Sequence, residues 1–217
     1  MAEENMRTFI LVDIQNDFCP GGALPVEEGD RIVSIINRLQ PHFDVIVATK
    51  DWHPADHGSF FSSHRGRKAG DIVDLNGIPQ ILWPPHCLQR TSGAEFREDL
   101  ETHCIRAVFF KGTDRAIDSY STFFDNARRR STGLEDYLRA SGIREVYIAG
   151  LATDYCVKFS AFDAVALGFK TSVIEDACRG VNLSRGDDEK ALAEMRSRGI
   201  AIVRSQDILA DRGFRSP

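Results

Sequence analysis

Apolar positions along this chain fall into short unbroken runs separated by stretches with a helical period. The runs Thr8–Asp13, Asp44–Thr49, Arg106–Phe110, Glu145–Ala149, Phe169–Ile174 and Ile200–Val203 are each largely apolar. They lack the alternation of a half-exposed strand and fit parallel strands covered on both faces. Between them, Asp30–Leu39 carries Ile32, Val33, Ile35, Ile36 and Leu39 at helical spacing and stops before Pro41. Leu134–Ala140 and Tyr155–Leu167 are followed by Gly142 and Gly168, residues suited to helix C-termini. Asp187–Arg198 opens on acids and closes on Arg196, Arg198 and Gly199, which complements a helix dipole. The alternation predicts an α/β fold: an open, six-stranded, mainly parallel sheet with helices on both faces.

One stretch breaks the rhythm. Residues 52–104 hold both tryptophans, four prolines and most of the histidines, with no helical stripe. A connection this long inside a compact domain is commonly functional. Nothing in the chain reads as a repeat, a low-complexity tract or a linker, so residues 1–217 are predicted to form a single domain. Composition (42% hydrophobic, 27% charged) excludes a disordered or fibrous chain. A net charge of −5 offers no broad basic face for nucleic acid. No apolar run approaches the ~20 residues that span a bilayer. The acidic Met1–Met6 stretch is unlike an export signal. Five scattered cysteines then read as reduced thiols in a cytoplasmic protein.

Ligands of open α/β sheets bind at the carboxyl ends of the strands. Those ends carry Asp13 after the first strand, Asp51 and His53 after the second, and Lys111 after the third. After the fourth comes Gly150-Leu-Ala-Thr-Asp-Tyr-Cys156, with a helix expected to begin near the cysteine. A carboxylate, an ammonium and a thiol on one rim fit nucleophilic catalysis. Cys156 would attack, its pKa lowered from ~8.5 by a helix N-terminus and a nearby cation. Asp13 would take its proton and return it to a leaving group, and Lys111 would hold Asp13 ionised and stabilise the thiolate. Backbone N–H groups around Cys156 would receive an oxyanion. Singly, each residue has a plainer explanation: a turn-forming Asp, a solvated Lys, a packed Cys.

A second cluster is Asp51-Trp-His53 with His86 from Trp83-Pro-Pro-His86. Residues two apart on an extended end point to the same side. A carboxylate with two imidazoles suits a divalent ion such as Zn²⁺, Fe²⁺ or Mn²⁺. Pro84 and Pro85 would restrict the backbone before His86. His57, Ser59 and His64 lie nearby and are left open as further ligands. The first strand runs into Asp13-Ile-Gln-Asn-Asp17 rather than a glycine-rich phosphate loop, which argues against a dinucleotide dehydrogenase.

These segments resemble the nicotinamidases (pyrazinamidases) of the isochorismatase-like cysteine hydrolase superfamily. The similarity runs nearly end to end, through Leu11–Gly22, Ala48–Pro54, Trp83–Cys87, Phe110–Thr113 and Gly150–Val157. The Asp, Lys and Cys segments mark the superfamily, and Asp-Trp-His with Trp-Pro-Pro-His marks the nicotinamidase branch. The resemblance implies a Rossmann-like fold with a long metal-site insertion after strand two. It implies hydrolysis of nicotinamide to nicotinic acid and ammonia, a step of NAD salvage, through a Cys thioester. Asp13, Lys111 and Cys156 become the triad, and Asp51, His53 and His86 the ligands of one divalent ion, zinc foremost, which orients the pyridine ring. The resemblance also implies a cis peptide at Leu151–Ala152, oxyanion donors at the Ala152 and Cys156 N–H groups, and a pocket of Phe18, Leu24, Trp83 and Tyr120. The expected partner is a small molecule, nicotinamide or pyrazinamide, with no nucleic acid or membrane and with a homo-oligomer left open. The rival expectations are a same-fold amidase acting on another small amide or carbamoyl compound, a metal-water hydrolase, and an inert binding scaffold.

Overall fold

The first apolar run is strand β1 (Arg7–Val12), five of whose six residues are buried. The structure, a computed structural model, describes residues 6–211; the acidic opening on which the no-export expectation rests lies almost wholly outside them. Helix α1 (Ile32–Leu39) buries Ile32, Val33, Ile36 and Leu39, the predicted stripe. Strand β2 (Val45–Asp51) is buried along its whole length. A small hairpin follows, β3 (Ile72–Leu75) and β4 (Ile78–Ile81), then strand β5 (Ala107–Lys111). The remaining elements are α2 (Leu134–Ala140), β6 (Glu145–Leu151), α3 (Lys158–Ala166), β7 (Lys170–Arg179), α4 (Asp187–Ser197), β8 (Ala201–Val203) and α5 (Ser205–Ala210).

The main sheet has the order β5-β2-β1-β6-β7-β8, and every pairing in it is parallel. From β1 the chain moves outward through β2 to β5, then returns to the other side of β1 with β6. The winding therefore reverses between β1 and β6, and a crevice opens at their carboxyl ends. Val12 pairs with Gly150 there. Gly150 has φ +133°, and a Cβ on it would sit 2.0 Å from the Val12 carbonyl oxygen, so only glycine lets the two strands close.

Three features depart from the apolar pattern. Strand β7 runs on to Arg179 through Glu175 and Asp176, polar residues that mask a strand. Asp176 accepts bonds from the Ser205 N–H and hydroxyl, while Glu175 pairs with Arg196 and Arg204. The hairpin β3–β4 sits in the irregular stretch on strands of four residues, too short to display a period. Its turn, Asn76-Gly77, has positive φ at both residues, the conformation that pair favours in a two-residue hairpin loop. Helix α5 is a single short element whose Arg204 N–H is accepted by Asp207. Among the described residues no helix is long and apolar enough to cross a membrane.

Candidate active site

The strand ends bring Asp13, Asp51, Lys111 and Cys156 together, with Lys111 at the centre. Asp51 and Lys111 are register partners at the ends of β2 and β5. The Lys111 ammonium lies 2.8 Å from Asp13 Oδ2 and 2.5 Å from Asp51 Oδ1. It also donates to the Ser119 carbonyl at 3.1 Å and approaches Cys156 Sγ at 3.3 Å. Asp13 is fully buried, held in the left-handed region at φ +50°, and its Oδ1 accepts the Thr49 hydroxyl at 2.7 Å. One cation thus joins the proposed base, the proposed nucleophile and a carboxylate of the second cluster.

Burial dominates the electrostatics of this group. It pushes Asp13 above the usual carboxylate value, with the Lys111 charge opposing and the Asp51 charge adding. Burial also opposes charge on Asp51, yet Lys111 and His53 hold that carboxyl well below its ordinary value. Burial disfavours the Lys111 ammonium, but Asp13, Asp51 and Cys156 outweigh it and keep the amine protonated. The Cys156 thiol is pushed well up by burial, against the pull of Lys111. This runs against the expectation of a thiol lowered by its surroundings: desolvation opposes the thiolate more strongly than the one shared cation favours it.

The local fold at Cys156 also differs from a simple helix start. Residues Thr153–Val157 form one wide π-type turn ahead of α3. The Ala152 carbonyl accepts from the Tyr155 and Val157 N–H groups and not from that of Cys156. The Leu151–Ala152 peptide is cis. Asp154, buried beneath the turn, accepts the Val181 and Asn182 N–H groups at 2.9 and 2.8 Å and ties the turn to the end of β7.

Asp51, His53 and His86 form a buried group whose donor atoms lie within 4.8 Å of one another. Asp51 Oδ2 is 3.3 Å from His53 Nε2 and 3.5 Å from His86 Nε2. The His53 Nδ1–H donates to the Gly112 carbonyl at 2.9 Å, and the His86 Nδ1–H donates to the Pro84 carbonyl at 2.7 Å. Both Nε2 lone pairs therefore face the carboxylate, and His53 Nε2 is buried without a hydrogen-bond partner. Two anchored imidazoles with converging free nitrogens are the arrangement of a metal site. Gly112 makes room: a Cβ there would lie 2.3 Å from the His53 ring. Of the positions left open, Ser59 faces His57 (Oγ to Nδ1, 2.7 Å) and His64 Nε2 bonds the Gly58 carbonyl. His57 packs against the His53 ring and, with Asp118, forms an adjoining group that shares His53.

A cleft opens over Cys156. Phe18, Leu24, Trp83 and Tyr120 line it as expected, together with Asp51, His86, Ala152 and Cys156. Three further lining residues, Asp118, Tyr155 and Val181, carry no sequence signal of their own. A further residue missed in the sequence is Gln15. It accepts the Asp51 N–H and donates to the Asp51 and Ala94 carbonyls, at 2.8 to 2.9 Å.

The isochorismatase domain profile matches residues 7–207. The nicotinamidase of Escherichia coli is 48% identical over 205 residues, covering 93% of this chain and 96% of that protein. An Acinetobacter baumanii nicotinamidase/pyrazinamidase structure superposes with a TM-score of 0.91 at 42% identity, covering 95% of this chain and 99% of that one. A Pyrococcus horikoshii pyrazinamidase solved in complex with zinc gives a TM-score of 0.74 at 40% identity, over 92% and 99% of the two chains.

Proposed function

The chain belongs to the isochorismatase family, and from that membership and the site geometry we propose how it performs nicotinamide hydrolysis. It is an amidohydrolase that converts nicotinamide to nicotinic acid and ammonia. The observation that carries the mechanism is the single buried ammonium touching Asp13, Asp51 and Cys156 beside an aromatic cleft.

Asp13, Lys111 and Cys156 act as the triad. A thiol pushed up by burial does not wait as a thiolate, so its proton moves to Asp13 as sulfur attacks the amide carbon. Asp13, itself raised above the usual carboxylate value, is matched to receive that proton. Lys111 stays charged and keeps both partners aligned. The Ala152 and Cys156 N–H groups receive the developing oxyanion. As the carbon–nitrogen bond breaks, Asp13 gives its proton to the departing ammonia, leaving an acyl thioester on Cys156. Water then attacks the thioester; Asp13 takes its proton, the carbon–sulfur bond breaks, and the thiol re-forms as nicotinate leaves.

Asp51, His53 and His86 hold one divalent ion, zinc by our reading, since a carboxylate with two imidazole nitrogens suits it. When bound, that ion supplies an anchor for the ring nitrogen, so its role is to orient rather than to activate water. Phe18, Leu24, Trp83 and Tyr120 grip the faces and edge of the ring. Pyrazinamide, with the same flat carboxamide shape, fits the same cleft. Five free cysteines suit a reducing cytoplasmic setting for this NAD-salvage step.

Ammonia release from nicotinamide tests the reading. Cys156→Ala should lower turnover by about 10⁴-fold or more, and a chelator should suppress the native enzyme until a divalent metal is restored. Turnover that survives Cys156→Ala would point instead to a metal-water mechanism. Full activity after complete metal removal would favour a related amidase that needs no metal.

A further inference from the structure

Two walls of the cleft, Trp83 and Tyr120, are joined at their polar tips. The Trp83 indole N–H donates to the Tyr120 hydroxyl oxygen at 3.0 Å. A second donor reaches that same oxygen: Gln80 Nε2, also at 3.0 Å. Gln80 lies on β4, in the hairpin, and is only 2% exposed. Its amide nitrogen additionally faces the Ile81 carbonyl at 2.7 Å and Asp118 Oδ2 at 3.2 Å. Its orientation is fixed, because a flipped amide would set its oxygen against a carbonyl and a carboxylate, neither of which carries a hydrogen. On the far side, Asn126 Nδ2 approaches Gln80 Oε1 at 3.5 Å.

We propose that Gln80 is a positioning residue for substrate specificity, holding Tyr120 and Trp83 at the spacing that admits a flat heteroaromatic ring. Gln80 is a hairpin side chain whose hydrogen bonds reach the cleft wall. The Trp83 indole N–H and the Gln80 amide, whose two hydrogens are shared among the Ile81 carbonyl, Asp118 and the phenol, both converge on the Tyr120 oxygen and hold the ring at its polar tip. Tyr155 completes the corner, edge-on to Trp83 at 4.9 Å and to Tyr120 at 5.3 Å between ring centroids. Removing the amide would leave the phenol oxygen and the Asp118 carboxylate short of a donor inside a buried pocket, so the corner would relax.

The inference rests on the nicotinamide reading, and it predicts a particular kinetic signature. The pyridine ring is unchanged through the reaction, so wall contacts bind ground state and transition state alike. Their loss raises KM and spares kcat. Gln80→Leu should therefore raise KM for nicotinamide about tenfold and weaken nicotinate binding by the same factor, with kcat within threefold of native. In a Tyr120→Phe background, which lacks the phenol oxygen, the further effect of Gln80→Leu on KM should fall below twofold. Gln80→Glu keeps the size, exchanges donor for acceptor, and should also raise KM about tenfold. If the Gln80 variants do not fold, Tyr120→Phe alone must reproduce the KM rise, since it removes the same bond from the other end.

A native KM in Gln80→Leu, or in Tyr120→Phe where that must stand in for it, overturns the proposal. So does an undiminished Gln80 effect in the Tyr120→Phe background, or a fall in kcat with KM unchanged. A wild-type enzyme that releases no ammonia from nicotinamide would instead overturn the functional reading itself.

Discussion

The two halves of the site are positioned by different means. Asp13, Lys111 and Cys156 sit at or just beyond the ends of sheet strands, where ladder hydrogen bonds and buried apolar side chains set their places. His53, His86 and Trp83 come from the irregular 52–104 stretch, held by isolated backbone bonds, such as the His53 N–H to the Cys87 carbonyl and the Trp83 N–H to the Ser59 carbonyl, and by side chains reaching across to backbone. Gln15 clasps Asp51 and Ala94, Asp17 Oδ2 accepts the Cys87 N–H at 2.7 Å, and the Gln89 amide donates to the Trp52 carbonyl at 3.0 Å. His53 and Leu88 form an isolated bridge rather than a strand. The sheet half is redundant, since many weak contacts fix each residue. Around its site residues the loop half has isolated bridges in place of a sheet ladder, and it leans on side-chain contacts that can be removed singly.

Lys111 is where the halves meet, and removing it gives the largest effect expected on both halves together. Lys111→Met would bring Asp13 and Asp51 into one buried site without a shared cation. Breaking a buried ion pair from one side commonly costs ~3–5 kcal/mol of stability. Thermal unfolding should register that loss, while ammonia release falls about 10³-fold or more, as for other groups that act as a unit. Metal content measured on the folded fraction should also drop, because Asp51 would lose the partner that holds it ionised. A variant that loses activity but keeps native stability and metal content would show that the two halves are not joined through this ammonium.

The acid side of the rate profile comes next. Asp13 must be ionised to accept the thiol proton, and its value in the folded protein is raised, chiefly by burial. Activity should therefore decline as pH falls through that raised value, above the ordinary carboxylate range. Thr49→Val removes a hydrogen bond that favours the ionised form, so it should move the acid limb of kcat/KM to higher pH. An acid limb at or below the ordinary Asp value would contradict Asp13 as the base.

The same contrast explains how much was legible in the sequence. Runs such as Phe9-Ile-Leu-Val12 and Val45-Ile-Val47 advertise buried strands because both faces are covered, and the residues just beyond them inherit their place from topology. Asp51 and His53 were legible as a pair, since strand geometry points them the same way. His86 was legible only through the motif around it, because loop geometry has no period. Gln15, Gln80 and Asp118 gave no pattern: each works through hydrogen bonds to partners 36 to 79 residues away. The direction of the Cys156 shift is hidden in the sequence for a related reason. Chain order shows which charges are near, but not how completely water is excluded.

Gln15 tests the loop half on its own, with the smallest expected effect. Its side chain satisfies both backbone groups of Asp51 and makes its other hydrogen bond to the Ala94 carbonyl, away from the triad. Gln15→Leu leaves the Asp51 N–H and the Asp51 and Ala94 carbonyls without this partner, at a cost of ~1–3 kcal/mol for each buried group left unsatisfied. The β1–β2 ladder runs through Leu11 and Ala48, short of this point, and should hold. The strain then falls on the aim of the Asp51 carboxylate. Groups that orient metal ligands typically account for 10- to 100-fold in affinity, and Gln15, acting through backbone alone, should fall at the low end, about tenfold. A titration with chelator-buffered metal should show that weakening, with kcat restored to within threefold at saturating metal. If kcat stays low when metal saturates, Gln15 serves the sheet half as well, and the separation between the two halves is less sharp than their architecture indicates.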